Sequence, residues 1–348
     1  MSGLAFPTLA AAAGEPLVLA GRPVAEPAWR IEIGGQDVTL DLNPYVVTAR
    51  YTDNAHAEID NIQLQLVNQA GLFTGPWCPD EGTRIGLWIG YAGAPLLPCG
   101  AFEVAELEAE GPPDLITITA LAAGPRPALR TKRSVGYEGK TLSGVASTVA
   151  ARLSLRVVGL VRNVTIERVT QNEETDLQFL ARLADEHGYV TSVRDGQLVF
   201  QERDALEAAA ATWSVRKGHE TRYRLQRRTR AVYRACEVSY HNPGSKKLIR
   251  RIVEAEGVTS GDVLKIRARV EGAAAAEARA RAELRLRNGR RVEGVIDIEG
   301  TTRCMAGTNG TLVGFGDRVD GTYHVASSAH QITRGEGYVT SLEVRQVA

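Results

Sequence analysis

The 348-residue chain carries only 4 cysteines, and no two of them form a Cys-x-x-Cys pair. Cys78, Cys99, Cys236 and Cys304 therefore read as free thiols of a protein made in a reducing cytoplasm, not as a disulfide framework or a zinc knuckle. A Cys78–Cys99 bridge has no spacing argument behind it. No run of 18 apolar residues occurs, which excludes a transmembrane helix, and no membrane insertion is expected. The apolar stretch from Leu9 to Ala20 contains Glu15 and lacks a basic segment before it, so a signal peptide is not expected. Also missing are an HExxH motif, a Walker sequence and a G-x-S-x-G elbow, the marks of zinc proteases, P-loop proteins and α/β-hydrolases. The G-x-G inside "GFGDRVDG" (314–321) is not followed by a helix and cannot cradle a phosphate; Asp317 and Asp320 read as turn residues.

The six histidines are His56, His187, His219, His241, His324 and His330, and none shows metal-ligand spacing. His187 ends a predicted helix, where a cation suits the dipole. His324 and His330 share a strand face by even spacing but lack a third ligand. No catalytic group, cofactor or metal is expected. Carboxylate neighbours such as Glu173 and Glu174 are sufficiently explained as helix-start residues.

Lys plus Arg number 41 and Asp plus Glu number 41, so neither sign is in excess. The balance hides an asymmetry. Residues 1–125 hold 4 basic and 15 acidic side chains, a net of −11, whereas residues 206–348 hold 25 and 16, a net of +9. The middle, 126–205, is close to neutral with 12 and 10.

What is present is mostly alternation. Residues 1–27 are rich in Ala, Gly and Pro and read as an arm. From Trp29, "WRIEIGG", "IDNIQLQLVN", "TRIGLWIGYAG" and "GAFEVAELEAEGPPDLITITALAA" alternate apolar with polar residues between Gly, Pro and Asn breaks. That pattern marks an antiparallel sheet or barrel with one wet face over 28–125. Glu106, Glu108 and Glu110 place three carboxylates on one solvated edge or face.

The texture changes over 126–205. "GKTLSGVASTVAARLSL" carries Leu142, Val145, Ala146, Val149, Ala150 and Leu153 at helical spacing. "TQNEETDLQFLARLADEHG" (170–188) reads as one amphipathic helix, capped by Thr170 or Asn172 and stopped by Gly188. Leu177, Leu180, Ala181 and Ala184 line its apolar face, widened by Phe179 and Leu183; Gln178, Arg182, Asp185 and Glu186 face water. Asp176 lies at the apolar edge and is expected to cap or to pair with an arginine, Arg130 or Arg133. "YVTSVRDGQLVF" predicts a hairpin turning at Asp195-Gly196. Strands return over 206–348, interrupted by one Ala-rich helix, "EGAAAAEARARAELRLRNG" (271–289), with Glu277/Arg281 and Glu283/Arg287 at i,i+4. No repeat of 20–50 residues is visible. The class is α+β, mainly β: two barrel-like β domains with an intervening α/β module.

The stretch 216–251 is strongly basic and interleaved with Tyr223, Tyr233 and Tyr240. Arg222, Arg224, Arg227, Arg228, Arg230, Lys246 and Lys247 are its candidate interaction residues. Three readings stand: charged outer faces of strands, a docking surface for an acidic partner, or a nucleic-acid groove.

Four stretches, in their order, resemble the phage late control gene D family, the baseplate hub of contractile tails, related to the hub region of VgrG spikes and of R-type pyocins. They are 100–123 with its Gly-Pro-Pro turn, "LRTKRSVGYEGKTLSGVASTVAARLSL" (129–155), the 170–188 segment, and "GTLVGFGDRVDGTYHVASSAHQITRGEGYVTSLEV" (310–344). The resemblance implies a structural, non-enzymatic part of the virion tail, synthesised in the host cytoplasm. Three chains, each with two barrel-like domains, would form a pseudo-sixfold ring joining the hexameric tail tube to a separate trimeric spike. Tape-measure and baseplate wedge proteins are further neighbours it implies, with DNA only as cargo through the lumen. In such a ring the acidic first region of one chain would abut the basic third region of the next. The alternative is a tail-associated enzyme that degrades cell wall, which would need an acid/base pair in a cleft.

Overall fold

The structure is a computed structural model that describes residues 25–122, 131–218 and 221–347, apart from 160, 162–163, 195, 228–231, 243–245, 269, 271 and 289–291. The first lobe contains β1 (Pro27–Ile33), β2 (Gln36–Asp37), a single-turn helix α1 (Thr39–Leu42), β3 (Val46–Asn54), β4 (Asn61–Val67), β5 (Arg84–Tyr91), β6 (Leu97–Glu110) and β7 (Leu115–Ala122). Every strand pairing within it is antiparallel. Period-two alternation puts Ile62, Leu64 and Leu66 of β4 inside with Ile85, Leu87 and Ile89 of β5, while Gln63 and Gln65 point the other way. Each such buried Leu or Ile contributes roughly 1.5–3 kcal/mol.

The middle module contains β8 (Arg133–Thr141), α2 (Leu142–Arg152), β9 (Arg156–Val158), β10 (Thr165–Glu174), α3 (Asp176–His187), β11 (Tyr189–Arg194), β12 (Gln197–Glu202) and the short α4 (Arg203–Glu207). Its core joins all six apolar positions read for α2 to Phe179, Leu180, Leu183 and Ala184 of α3. Thr141 caps α2 by accepting the Gly144 N–H at 3.1 Å.

The helix expected over 170–188 is shorter. Residues 170–174 belong to β10, paired with β8, so Thr170 and Asn172 cap nothing. The N-cap is Thr175. Its Oγ1 accepts the Gln178 N–H at 3.3 Å, and Gln178 Oε1 accepts the Thr175 N–H at 3.0 Å, a reciprocal capping box. Gly188 ends the helix in the left-handed region, as expected. Asp176 is fully buried and its main partner is an arginine the sequence reading did not name: Arg152 of α2, 2.6 Å away, with Arg133 at 3.7 Å. Arg130 and Asp195 lie outside the described residues. Nor do Arg182 and Asp185 face only water. Arg182 grips Glu174 at 2.7 Å, and Asp185 meets Arg203 at 2.6 Å.

After the module come β13 (Trp213–Arg216), β14 (Arg222–Arg227), β15 (Tyr233–Asn242), β16 (Lys247–Glu254), β17 (Asp262–Arg267), α5 (Ala273–Asn288), β18 (Val292–Glu299), β19 (Asn309–Val313), β20 (Gly321–Thr333) and β21 (Gly337–Gln346). Here the sequence reading merged two things. β13, β14 and β18–β21 surround one core of Trp213, Ile296, Leu312, Tyr323 and Leu342. β15–β17 form a separate sheet in the order β16-β15-β17, and α5 packs on that sheet around Cys236, Val238, Tyr240, Ala276 and Ala280. The Ala-rich helix thus belongs to a small unit inserted between β14 and β18, not to the second barrel-like lobe.

The two lobes are one sheet. Its strand order is β14-β18-β21-β20-β3-β4-β7-β6-β5-β1-β2, with β19 on β20 and β13 on β19. The seam is antiparallel, β20 against β3, from Ser327 opposite Asn54 to Thr333 opposite Thr48. Ile332 and Tyr338, from the far end of the chain, complete the first-lobe core.

Outward from the seam the runs are β3-β4-β7-β6 and β20-β21-β18-β14. Followed in one direction across the sheet, β6 corresponds to β20, β7 to β21, β4 to β18 and β3 to β14. Hairpin then matches hairpin, and β5 on the first half of β6 matches β19 on the first half of β20. The hydrogen bonds agree. Gly82 N–H donates to Val104 at 2.9 Å, and Val104 N–H donates to Thr83 at 3.0 Å. Gly307 N–H donates to Val325 at 2.9 Å, and Val325 N–H donates to Thr308 at 2.9 Å. A register shift follows each valine, and both glycines are left-handed, at φ 83° and 84°. No repeat is visible in the residues themselves; two lobes of similar shape are what the family resemblance implies.

Candidate assembly interface

The basic stretch divides over two surfaces. Arg222, Arg224 and Gln226 share one face of β14; Leu225 on the other face packs on the second-lobe core. Tyr223 meets Phe315 edge-on, with ring centroids 5.0 Å apart, and Lys217 Nζ lies 5.1 Å over the Tyr223 ring. β14 pairs with β18 along its whole length, and no other strand pairs with it among the described residues. Arg227 closes this edge strand. Lys246 and Lys247 sit instead at the β15–β16 hairpin of the inserted sheet, exposed, and do not join β14. Arg228 and Arg230 lie outside the described residues.

A second open edge is acidic. β5 accompanies β6 only as far as Glu103, opposite Arg84, and Val104 makes the last bonds on that side. From Glu106 to Glu110, past the extruded Ala105, β6 pairs with β7 alone among the described residues. Glu106, Glu108 and Glu110 are exposed on one face, and Leu107 between them is 36% exposed. The sequence reading found the three carboxylates but not the unpaired backbone beside them, because pairing partners of a strand are not written in its own residues.

Polar joints fix the module to the lobes. Asp53 is fully buried; Arg194 of β11 donates to it, and Ala306 N–H donates to its Oδ2 at 2.8 Å. Burial pushes the Asp53 carboxyl up, against the pull of Arg194. His56 accepts the Thr191 N–H at Nδ1, 3.0 Å, and its Nε2 lies 3.2 Å from Asp185. Burial raises the Asp185 carboxyl, but His56 and Arg203 together bring it below the usual range, so it serves as a fixed anion. His56, Asp185 and Arg203, with Arg224, His324 and Arg345, line a crevice of about 540 Å³.

The histidines singled out from the sequence are structural. Asn309 Nδ2 donates to three carbonyls, of Leu206, Glu207 and Ala209, so its Oδ1 faces His324 Nδ1 at 2.8 Å and that nitrogen carries the proton. Burial and the nearby Arg345 and Arg203 hold His324 down to about 3. His330 bonds Tyr338 OH at 2.9 Å and burial pulls it down to about 4. His187 is lowered by burial too, with Arg279 opposing its charge, so it is not the dipole-stabilised cation expected. Among the described residues no three His, Cys, Asp or Glu side chains are grouped to hold a metal. All four cysteines are free, Cys78 exposed and the others buried. Asp320 is a turn residue, its carboxylate accepting the N–H groups of Gly314, Phe315 and Gly316.

A mainly β chain with two joined lobes and an outlying α/β module is the fold of known tail proteins. It matches a tail protein from Neisseria meningitidis MC58 with a TM-score of 0.70 at 12% identity, covering 92% of this chain and 97% of that one. It matches the 43 kDa tail protein of prophage MuSo2 from Shewanella oneidensis at 0.70 and 16% identity, covering 92% and 98%. An E. coli component of the type VI secretion system, described as similar to T4 tail proteins gp27 and gp5, matches at 0.53 and 12% identity, covering 91% and 77%. Residues 118–336 match the family model of the phage tail baseplate hub (GPD), and the chain belongs to that family. A probable baseplate hub protein of Escherichia phage 186 is 33% identical over 186 residues, 53% of this chain and 47% of the relative. Its counterpart in Escherichia phage P2 is 30% identical over 179 residues, 50% and 45%. The chain spans about half the length of the curated relatives it matches.

Proposed function

We propose that this chain is a structural, non-enzymatic hub that adapts symmetry in a tail. Three copies form a closed ring in which the two lobes of each occupy six near-equivalent places. One face of the ring meets the sixfold tail tube and the other receives a separate threefold spike. Tape-measure and wedge proteins are further neighbours, and DNA passes only as cargo. The division into an arm, two barrel-like lobes and an intervening module belongs to this reading. So does a place in the virion or a phage-like particle, after synthesis in the host cytoplasm.

The observation that carries it is the internal repeat, since two matched lobes in one chain convert three copies into six positions. The polar face shared by Gln63, Gln65, Thr117 and Thr119 supports a wetted channel wall. The mass of the full chain in solution and averaged images of tail tips test it. A threefold ring with six similar lobes is expected. A monomer that hydrolyses peptidoglycan would instead establish the cell-wall-degrading alternative.

A further inference from the structure

The chain contains one completed seam and two unfinished edges that match it. In the completed seam the second half of β20, beyond its register shift, leaves β19 and pairs with β3. The equivalent half of β6, beyond the equivalent shift, leaves β5 and meets no strand among the described residues; nor does the outer edge of β14, the equivalent of β3. Both unfinished edges are six residues long, Ala105–Glu110 and Arg222–Arg227.

We propose that the free edge of β6 in one copy pairs antiparallel with the free edge of β14 in the next, repeating between copies the seam that β20 and β3 make within one. The proposal rests on the ring reading above and names the surface that closes the ring.

The register follows from the ladders. Leu64 and Ile296 are both fully buried and pair with Ile118 and Leu342, which makes them equivalent. Through β4–β3 and β18–β14, Ala49 then corresponds to Tyr223, Arg50 to Arg224 and Tyr51 to Leu225. Through Val104 and Val325, Leu107 corresponds to Ser328, Ala109 to His330 and Glu110 to Gln331. Within the chain Gln331 faces Arg50 and His330 faces Tyr51. Between copies Glu110 therefore faces Arg224, Ala109 faces Leu225, Glu108 faces Gln226 and Leu107 faces Arg227.

The chemistry fits that register. The carboxylates of Glu106, Glu108 and Glu110 fall on the same face as Arg222 and Arg224, and the smaller Ala109 meets the larger Leu225 on the core side. Like-signed residues along each edge disfavour β6 pairing with β6, or β14 with β14, which would otherwise compete. Pro112 and Pro113 have no N–H and stop the ladder just past Glu110. The unequal partners, acidic with basic, make the contact directional, as a ring requires.

The test uses the full chain with Cys78→Ser, to remove the exposed thiol, and two cysteine pairs at neighbouring positions of the one register, Glu110→Cys with Arg224→Cys and Ala109→Cys with Leu225→Cys. Mild oxidation is read on a non-reducing gel, beside native mass by light scattering and circular dichroism for folding. The expected result is a covalent trimer that reductant dissolves, with none from the pair Glu110→Cys and Lys247→Cys, which lies off the seam on the inserted sheet. Without cysteines, Glu110→Arg or Arg224→Glu alone should weaken association about fivefold, and the two together should restore it. A trimeric mass with no cross-link from either pair overturns the seam and leaves the ring standing. Cross-linked open chains without a closed trimer support the seam and overturn the ring. A chain monomeric at every concentration overturns both.

Discussion

Val104 and Val325 hold the same place in two distant strands. Each accepts from a left-handed glycine, donates to the threonine after it, and precedes the point where its strand changes partner. The local sequences share little more than Gly-Thr at 82–83 and 307–308 and Val-Ala at 104–105 and 325–326. Geometry has kept an equivalence that the side chains have nearly erased. The glycine is needed for its backbone angle, and the residue after each valine is extruded so that the strand bends to a new neighbour.

If the opposite fields of the two chain ends guide assembly, salt will oppose it. The first region carries −11 and the third +9. Self-association followed by sedimentation should weaken on the order of tenfold between about 0.1 M and about 1 M salt, where the screening length falls from about 10 Å to about 3 Å. Association indifferent to salt would remove charge as its guide.

Asp176 is fully buried, with Arg152 at 2.6 Å and Gln171 donating to it from Nε2 at 3.0 Å. Arg152→Ala leaves that carboxylate with only the more distant Arg133, at 3.7 Å, and should cost about 3 kcal/mol in urea unfolding. Removing both charges together, as Arg152→Met with Asp176→Leu, should cost less than Arg152→Ala alone. Equal losses would mean the pair is not coupled.

Stability should fall as pH falls from about 6.5 toward 4. His324 and His330 are held near 3 and 4 in the folded chain, so they stay neutral while the unfolded chain takes up protons below its ordinary histidine value of about 6.5. Each such group costs at most about 1.4 kcal/mol per pH unit in that window, and nothing above it. His187 acts with the same sign, whereas Asp53, raised by burial, opposes it in the carboxylate range. Urea midpoints across the window should decline, and His330→Gln should shallow the slope. A flat profile would show that these imidazoles are not kept neutral.

Gly310 lies opposite Trp213 in the β13–β19 ladder, and a Cβ there would stand 2.0 Å from the indole ring. Gly310→Ala should cost about 1–3 kcal/mol by overpacking. Gly136→Ala, with nothing within 4 Å, should cost nothing by that route. Thermal melts of the two variants give the comparison.

Much of this molecule was legible from residue order because its signals are local. The alternation of β4 and β5, the α2 face from Leu142 to Leu153 and the Gly188 stop each depend on neighbours within a few positions. The start of α3 was misread because Thr170, Asn172 and Thr175 are all competent caps. Gln178, three residues after Thr175, was the signal that separates them. Arg152 as the partner of Asp176 and the free edges of β6 and β14 were illegible for another reason. They depend on which strands and helices come to lie side by side, and no residue type announces that. The inserted unit was hidden because its strands alternate just as those of the flanking lobe do.

That inserted unit gives the chain two ways of being counted. β3 turns directly into β4 through residues 55–60, whereas β14 reaches β18 only after the excursion through β15–β17 and α5. A neighbour that grips the sheet meets a similar surface twice in every polypeptide. A neighbour that grips the appendage meets it once. In the ring of three proposed above, the same molecule would present sixes to one companion and threes to another without changing conformation.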